Sequence, residues 1–228
     1  KKREGAGVGT VFERLRSHVA WPKSYTRDAH GFRSLAPDKS QPEGSVLIGH
    51  EDGATGGVTL RWAVFLPLDE EAHVFRATIP SSSRHYHIVL HGQFFVDAGR
   101  RGIHEFSRLF EPDHTPEQQF DESGLRRRWN RELADGVTLP LLLPVLAEYV
   151  KSHRLTDDEI GELTKAIGDA VAGSGGASRP FLSSFRSSIC REMAWVRQID
   201  RDGFRWTLVK ANGCLLRTLP APPASEPG

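Results

Sequence analysis

The sequence predicts an α+β fold of mixed α/β character, in which an antiparallel or mixed sheet carries a helical layer. Three observations lead there. Between residues 45 and 101, four short apolar stretches alternate with turns rich in Gly, Pro and acids, the pattern of strands joined by tight connections. Between residues 123 and 172, apolar residues recur at every third or fourth position, as they do along one side of a helix. Beyond residue 193 the strand-like pattern returns. Strands, then helices, then strands bury one sheet face under helices most simply within one domain. The expected division is an N-terminal extension over 1–44, a sheet-and-helix domain over 45–219, and a disordered tail over 220–228, where Pro220, Pro222 and Pro223 cluster.

The elements follow in chain order. Val11, Leu15 and Val19 at spacing four predict a short helix over 10–19. Val46-Leu47-Ile48 predicts a strand, and the glycine-loaded run from Glu51 to Gly57 predicts a hairpin leading into a second strand over 58–68, with Leu60, Trp62, Val64 and Leu66 on one face. Asp69-Glu70-Glu71 forms the next turn, 73–79 a third strand, and Pro80-Ser81-Ser82-Ser83 a break before a long strand that starts at His85 and runs out toward Gly99. Residues 111–122, with Pro112, Pro116 and many acids, read as an exposed loop.

Leu125, Trp129, Leu133, Val137, Leu141, Val145 and Tyr149 then form a row at spacing four, cut by Pro140 and Pro144. Each proline removes an amide donor and crowds the preceding turn, so the row predicts a helix over 123–135, a joint near Asp135-Gly136 and a second helix over 141–152. Thr156 and Glu159 have the spacing of a capping box, and Ile160, Leu163, Ile167 and Val171 line the helix they open. Asp200-Arg201-Asp202-Gly203 joins strands over 194–199 and 204–210, and 214–219 adds a third after Asn212-Gly213. Trp129, Trp195 and Trp206 sit in apolar patterns and read as core.

Composition bounds the function. A chain of 228 residues can form a real core without disulfide staples. Its net charge of +1 demands no polyanionic partner, so a nucleic-acid contact would be local and is not favoured. No run approaches the roughly eighteen apolar residues of a membrane span. Cys190 and Cys214 are the only cysteines, too few for a disulfide framework and not spaced as a metal knuckle; a reducing cytoplasm is the expected location. The chain begins Lys1-Lys2-Arg3-Glu4, without methionine or an apolar signal core, and is expected to be a piece of a longer polypeptide.

Candidate chemistry is concentrated around residue 100. Gly99 lets the backbone turn, and Arg100 with Arg101 presents two guanidinium groups whose forked donors fit phosphate oxygens; ordinary solvated loop charge is the alternative reading. Gly5, Gly7, Gly9 and Thr10 form a glycine-rich run before a candidate helix, where amides can cradle an anion, although the Lys-Ser/Thr ending of a Walker motif is absent and a flexible linker has the same composition. His85, His87 and His91 share one face of a regular strand. At about 3.3 Å per residue the outer pair lies roughly 20 Å apart, so no metal site is expected. Ser183, Ser184, Ser187 and Ser188 lack a nucleophile elbow, and Cys190 beside Arg191 fits a buried helix end, so no hydrolytic triad is assigned.

The string Leu90-His91-Gly92-Gln93-Phe94-Phe95-Val96-Asp97-Ala98-Gly99-Arg100-Arg101, followed some way on by Trp129-Asn130-Arg131-Glu132-Leu133, resembles the segment after the nucleotide-binding domain in sacsin-like, Bergerat-fold (GHKL) ATPases, a group related to heat-shock chaperones. Gly5, Gly7, Gly9 and Thr10 are similar to a degenerate copy of that family's last glycine box, part of the lid over the nucleotide phosphates. The resemblance implies a middle, transducer-like domain that packs on the preceding ATPase domain of the same polypeptide. It implies that Arg100 or Arg101 reaches the terminal phosphate, and that ATP and Mg are held mainly by a region absent from this chain. The helix-borne glutamate and asparagine and the Asp-x-Gly-x-Gly of that family are missing here, so the piece alone is expected to be inactive. A client or partner protein is the implied target of nucleotide-driven change. The alternative is a non-catalytic protein- or nucleic-acid-interaction module docking through Arg100-Arg101 and Arg126-Arg127-Arg128.

Overall fold

A computed structural model describes residues 15–18, 43–53, 55–65, 68, 73–111, 122–173, 193–200 and 203–210, the first and the last two of these stretches as backbone. Gly5, Gly7, Gly9 and Thr10, the serines of 183–188, Cys190, the 214–219 strand and the 220–228 tail lie outside the described residues. Five strands, β1 (Leu15–His18), β2 (Glu43–Asp52), β3 (Gly56–Ala63), β4 (Val74–Ile79) and β5 (Arg84–Gly92), form one sheet in the order β1-β2-β5-β3-β4. β5 runs antiparallel to β2 and parallel to β3, and β3 runs antiparallel to β4. The sheet is therefore mixed, and the α+β class holds.

Two expectations are corrected. The helix expected over 10–19 is, over Leu15–His18, an edge strand paired antiparallel with β2. The hairpin expected between 46–48 and 58–68 does not form, because β5 inserts between β2 and β3 and pairs with both. The glycines serve a crossing instead. A Cβ on Gly56 would lie 2.2 Å from the Ser82 carbonyl oxygen and 2.8 Å from that of Ile79, so the connection from β4 to β5 passes over the start of β3 where no side chain fits. Gly53 N–H donates to Ser83 O at 2.8 Å and closes the same end.

Register sorts the side chains. Val46, Leu90 and Trp62 lie in one row, Ile48, Ile88, Leu60 and Phe75 in the next, and His50, Tyr86, Val58 and Ala77 in the third. All of these apolar side chains are buried except Ala77, which packs against the cluster they form. Truncating a central one such as Ile88 to alanine costs about 3 kcal/mol in lost transfer energy and cavity.

Helices cover that face. α1 (Glu122–Leu133) continues through a wide π turn (Ala134–Thr138) and a 3-10 turn (Leu139–Leu141) into α2 (Leu142–His153), which places the expected joint at 135–136. Pro140 has no N–H for the carbonyl one turn back, and the wider turn absorbs the mismatch; Thr138 Oγ1 donates to Leu133 O at 3.1 Å within it. The turn packs on β2, where a Cβ on Gly44 would meet Thr138 Oγ1 at 2.7 Å. The 32-residue stretch Glu122–His153 is long and apolar enough to cross a membrane by length and composition, yet more than half of its apolar window is buried inside the fold, as in a core helix.

α3 (Asp157–Ala172) opens with the expected capping box: Glu159 N–H donates to Thr156 Oγ1 at 3.3 Å, and Thr156 N–H donates to Glu159 Oε2 at 2.8 Å. Its Ile160, Leu163, Ile167 and Val171 are buried. β6 (Met193–Asp200) and β7 (Gly203–Lys210) form a separate antiparallel hairpin closed at Asp200 and Gly203.

Candidate functional site

β5 carries the chain to the arginine pair, but it stops at Gly92 and not at Gly99. A Cβ at residue 92 would lie 2.8 Å from the Phe94 ring and 3.1 Å from Leu133, so glycine allows the strand to end close against α1. The chain then doubles back on itself. Val96 bridges Ile103, His104 N–H donates to Phe95 O at 2.9 Å, and Asp97 N–H donates to Gly102 O at 2.9 Å. Arg100 N–H returns to Asp97 O at 3.0 Å, and Arg101 N–H to Asp97 Oδ1 at 3.0 Å. Arg100 and Arg101 thus sit at the exposed tip of a tight hairpin, with the Asp97 side chain acting as an extra backbone acceptor. Arg100 adopts the left-handed conformation, φ 55°, uncommon for a residue with a Cβ.

α1 clamps the root of this hairpin. Trp129 Nε1 donates to Gln93 O at 3.0 Å. Asn130, fully buried, accepts from Phe95 N–H at 2.7 Å and donates to Phe95 O at 3.0 Å and His104 O at 3.3 Å. One side chain thereby does the work of a neighbouring strand. The two strings that carry the family resemblance, 90–101 and 129–133, are in direct contact.

Two further supports come from other elements. His73, just before β4 and buried, accepts Ile103 N–H at Nε2 (3.1 Å) and lies against the Phe106 ring, 4.7 Å between centroids. Glu105, also left-handed at φ 49°, accepts from Ser123 Oγ at 2.9 Å and from Arg127 Nη1 at 2.7 Å. Burial works to raise the Glu105 carboxyl, but the hydrogen bonds from Ser123 and Arg127 outweigh it and hold it below the usual carboxylate value. Arg127 is 5% exposed. Arg126 pairs with Glu122 and lies over the Phe95 ring at 5.8 Å. The run Arg126-Arg127-Arg128 is therefore split between the interior and the surface. By contrast, the Arg100 and Arg101 side chains have no ion-pair partner among the described residues.

The three strand histidines share the sheet face opposite the helices, each with its own partner. His85 Nε2 lies 2.8 Å from Thr59 Oγ1, His87 Nε2 3.2 Å from Glu51, and His91 Nδ1 3.4 Å from Ser45 Oγ. Among the described residues no group of three or more His, Cys, Asp or Glu is placed to hold a metal ion.

A second polar cluster gave no signal in the sequence, because its members lie far apart in the chain. Tyr149 Oη on α2 sits 2.5 Å from His50 Nδ1 on β2, with the His153 ring tilted 4.3 Å from the Tyr149 ring and edge-on to His50 at 5.3 Å. Burial pushes the Tyr149 phenol far up, so it stays protonated beside His50. Burial, then His153 and Arg84, lower the His50 imidazole against the pull of Asp52. Arg84 joins Glu159 at 2.9 Å and Asp52 at 3.8 Å. This cluster lies at the opposite end of β5 from the arginine hairpin.

Compared with protein-family models, curated proteins and solved structures, the chain matches none. Of the residues that build the hairpin, Asp97 lies in Asp-Ala-Gly, a turn sequence, yet the stretch reads as a strand running on toward Gly99. Trp129 read as core without its hydrogen bond, and Asn130 was visible only as part of a string. His73 and Glu105 carried no signal, since each acts only through a contact formed by the fold.

Proposed function

We propose that this chain is the middle, transducer-like part of a chaperone-like GHKL ATPase, supplying Arg100 or Arg101 as a phosphate-sensing group to ATP and Mg held by the preceding ATPase domain, and coupling nucleotide state to a partner or client. One observation carries the reading: two exposed guanidinium groups without ion-pair partners among the described residues stand on a hairpin whose backbone is held by Asp97, His73, Trp129 and Asn130. Fixed cations on a rigid mount can neutralise charge as it develops on a departing phosphoryl group without reorganising. A floppy loop would lose that advantage to entropy. An interaction module docking on Arg126-Arg127-Arg128 draws less support, since Arg127 is committed to Glu105 inside the fold.

The test is Arg100→Ala, Arg101→Ala and the double variant in the polypeptide that includes the ATPase domain. The expected result is a fall in kcat of about a hundredfold, the size of losing one pre-placed oxyanion donor, with nucleotide affinity nearly unchanged. Turnover equal to wild type in the double variant overturns the reading.

A further inference from the structure

We infer that His73 is the positioning residue of the arginine hairpin, and that its protonation state decides whether the tip keeps its shape. The inference rests on the phosphate-sensing reading only for its consequence on turnover; the geometry of the hairpin carries the rest. His73 belongs to the segment entering β4, thirty residues before its partner, and is 2% exposed. Its Nε2 accepts Ile103 N–H at 3.1 Å. An imidazole that accepts at Nε2 carries its proton on Nδ1 and is neutral. A second proton would turn Nε2 into a donor facing another donor, leaving Ile103 N–H without an acceptor in a buried place.

Among the described residues, the charged group facing the ring across Gly102 is Asp97. A Cβ on Gly102 would lie 3.0 Å from Asp97 Oδ2, 3.2 Å from His73 Cε1 and 3.7 Å from His73 Nε2, so carboxylate and imidazole occupy the same side of that glycine. The other Asp97 oxygen holds Arg101 N–H. Of the remaining charges nearby among the described residues, Glu105 is committed to Arg127 and Ser123, while Arg100 and Arg101 stand at the exposed tip. An imidazolium at residue 73 therefore attracts the carboxylate that anchors the tip, while losing its own bond to the hairpin. Neutral His73 keeps Val96 paired with Ile103 and the arginines in register. Protonated His73 loosens both.

The variant that separates role from bulk is His73→Gln, whose side-chain oxygen can accept Ile103 N–H but does not titrate; His73→Phe removes the acceptor. The measurement is amide hydrogen exchange of Ile103 and Arg101 by NMR on the 228-residue chain, corrected for intrinsic rates, at about pH 8 and about pH 5.5, spanning the range in which imidazoles titrate. Protection in the wild type should fall about tenfold on acidification, the equivalent of one hydrogen bond, and stay level in His73→Gln. The same acid loss in His73→Gln overturns the inference, as does an Nε2-protonated tautomer of His73 at neutral pH in ¹⁵N spectra. Neither readout requires His73→Phe to fold. Turnover of the longer polypeptide should follow the protection. Turnover that ignores a pH-dependent hairpin would leave His73 as its latch and overturn the phosphate-sensing reading instead.

Discussion

The arginine hairpin and the imidazole cluster lie at opposite ends of β5, and both set polar side chains of the sheet region against a helix, yet they treat charge in opposite ways. At the hairpin, Glu105 is held as an anion by Ser123 and Arg127, and Asn130 meets two backbone carbonyls and an amide. At the other end, burial and the neighbouring His153 and Arg84 keep His50 neutral. A network in which donors meet acceptors makes a mount. A cluster in which like charges converge makes a place that yields first to acid. The hairpin is the end built to hold something still.

The largest effect should come from breaking the mount. Arg127→Ala removes the closest cation from the partly buried Glu105 carboxylate, leaving only Arg108 at 3.8 Å among its arginine partners, and should destabilise the chain by about 3 kcal/mol, read from urea unfolding; Asn130→Ala, which removes the acceptor of Phe95 N–H, the side-chain donor to His104 O and one of two donors to Phe95 O, should cost about 2 kcal/mol. Losses well under 1 kcal/mol for both would erase the contrast between the two ends. Acid sharpens it next. His50 is lowered in the folded state, so its contribution is fully present above the ordinary imidazole value of 6.5 and is lost as pH falls below it. Glu105 is also lowered, so its contribution persists until pH falls below the ordinary carboxyl value of 4.5. Stability between about pH 6.5 and pH 5 should therefore decline in the wild type and decline less in His50→Gln, measured by thermal unfolding across pH. Identical curves would remove the imidazole cluster from the account. The smallest effect belongs to the tip: Arg100→Ala with Arg101→Ala should change stability by no more than about 0.5 kcal/mol, as exposed side chains without partners do.

Much of this was legible in the chain. The row from Leu125 to Tyr149, broken at Pro140, located the helical path and its joint, because a missing N–H has only a local remedy. The Thr156 and Glu159 box marked the start of α3 for the same reason. Strand pairing was less legible. A glycine run between two apolar stretches reads as a hairpin, and nothing local says that β5, nearly thirty residues further on, will displace that partner; the glycines at 56 and 57 serve a crossing and a close approach. The edge strand at Leu15–His18 was hidden by spacing four, which short strands also show by chance. At the site, the arginine pair announced itself through composition, whereas the hairpin turn at Asp97 was hidden because the stretch reads as a strand running on toward Gly99. His73, Glu105 and the pairing of His50 with Tyr149 gave no signal, because they are products of tertiary contact between residues distant in sequence.

The central claim is that the hairpin tip meets the terminal phosphate of a nucleotide bound by the neighbouring domain. The most direct measurement is photo-cross-linking of the longer polypeptide with an ATP analogue bearing a photoreactive group on the γ-phosphate, followed by peptide mapping. The account predicts adducts within residues 97–102 that disappear when Arg100 and Arg101 are both alanine. Adducts confined to other segments, with none in the hairpin at saturating analogue, would contradict it.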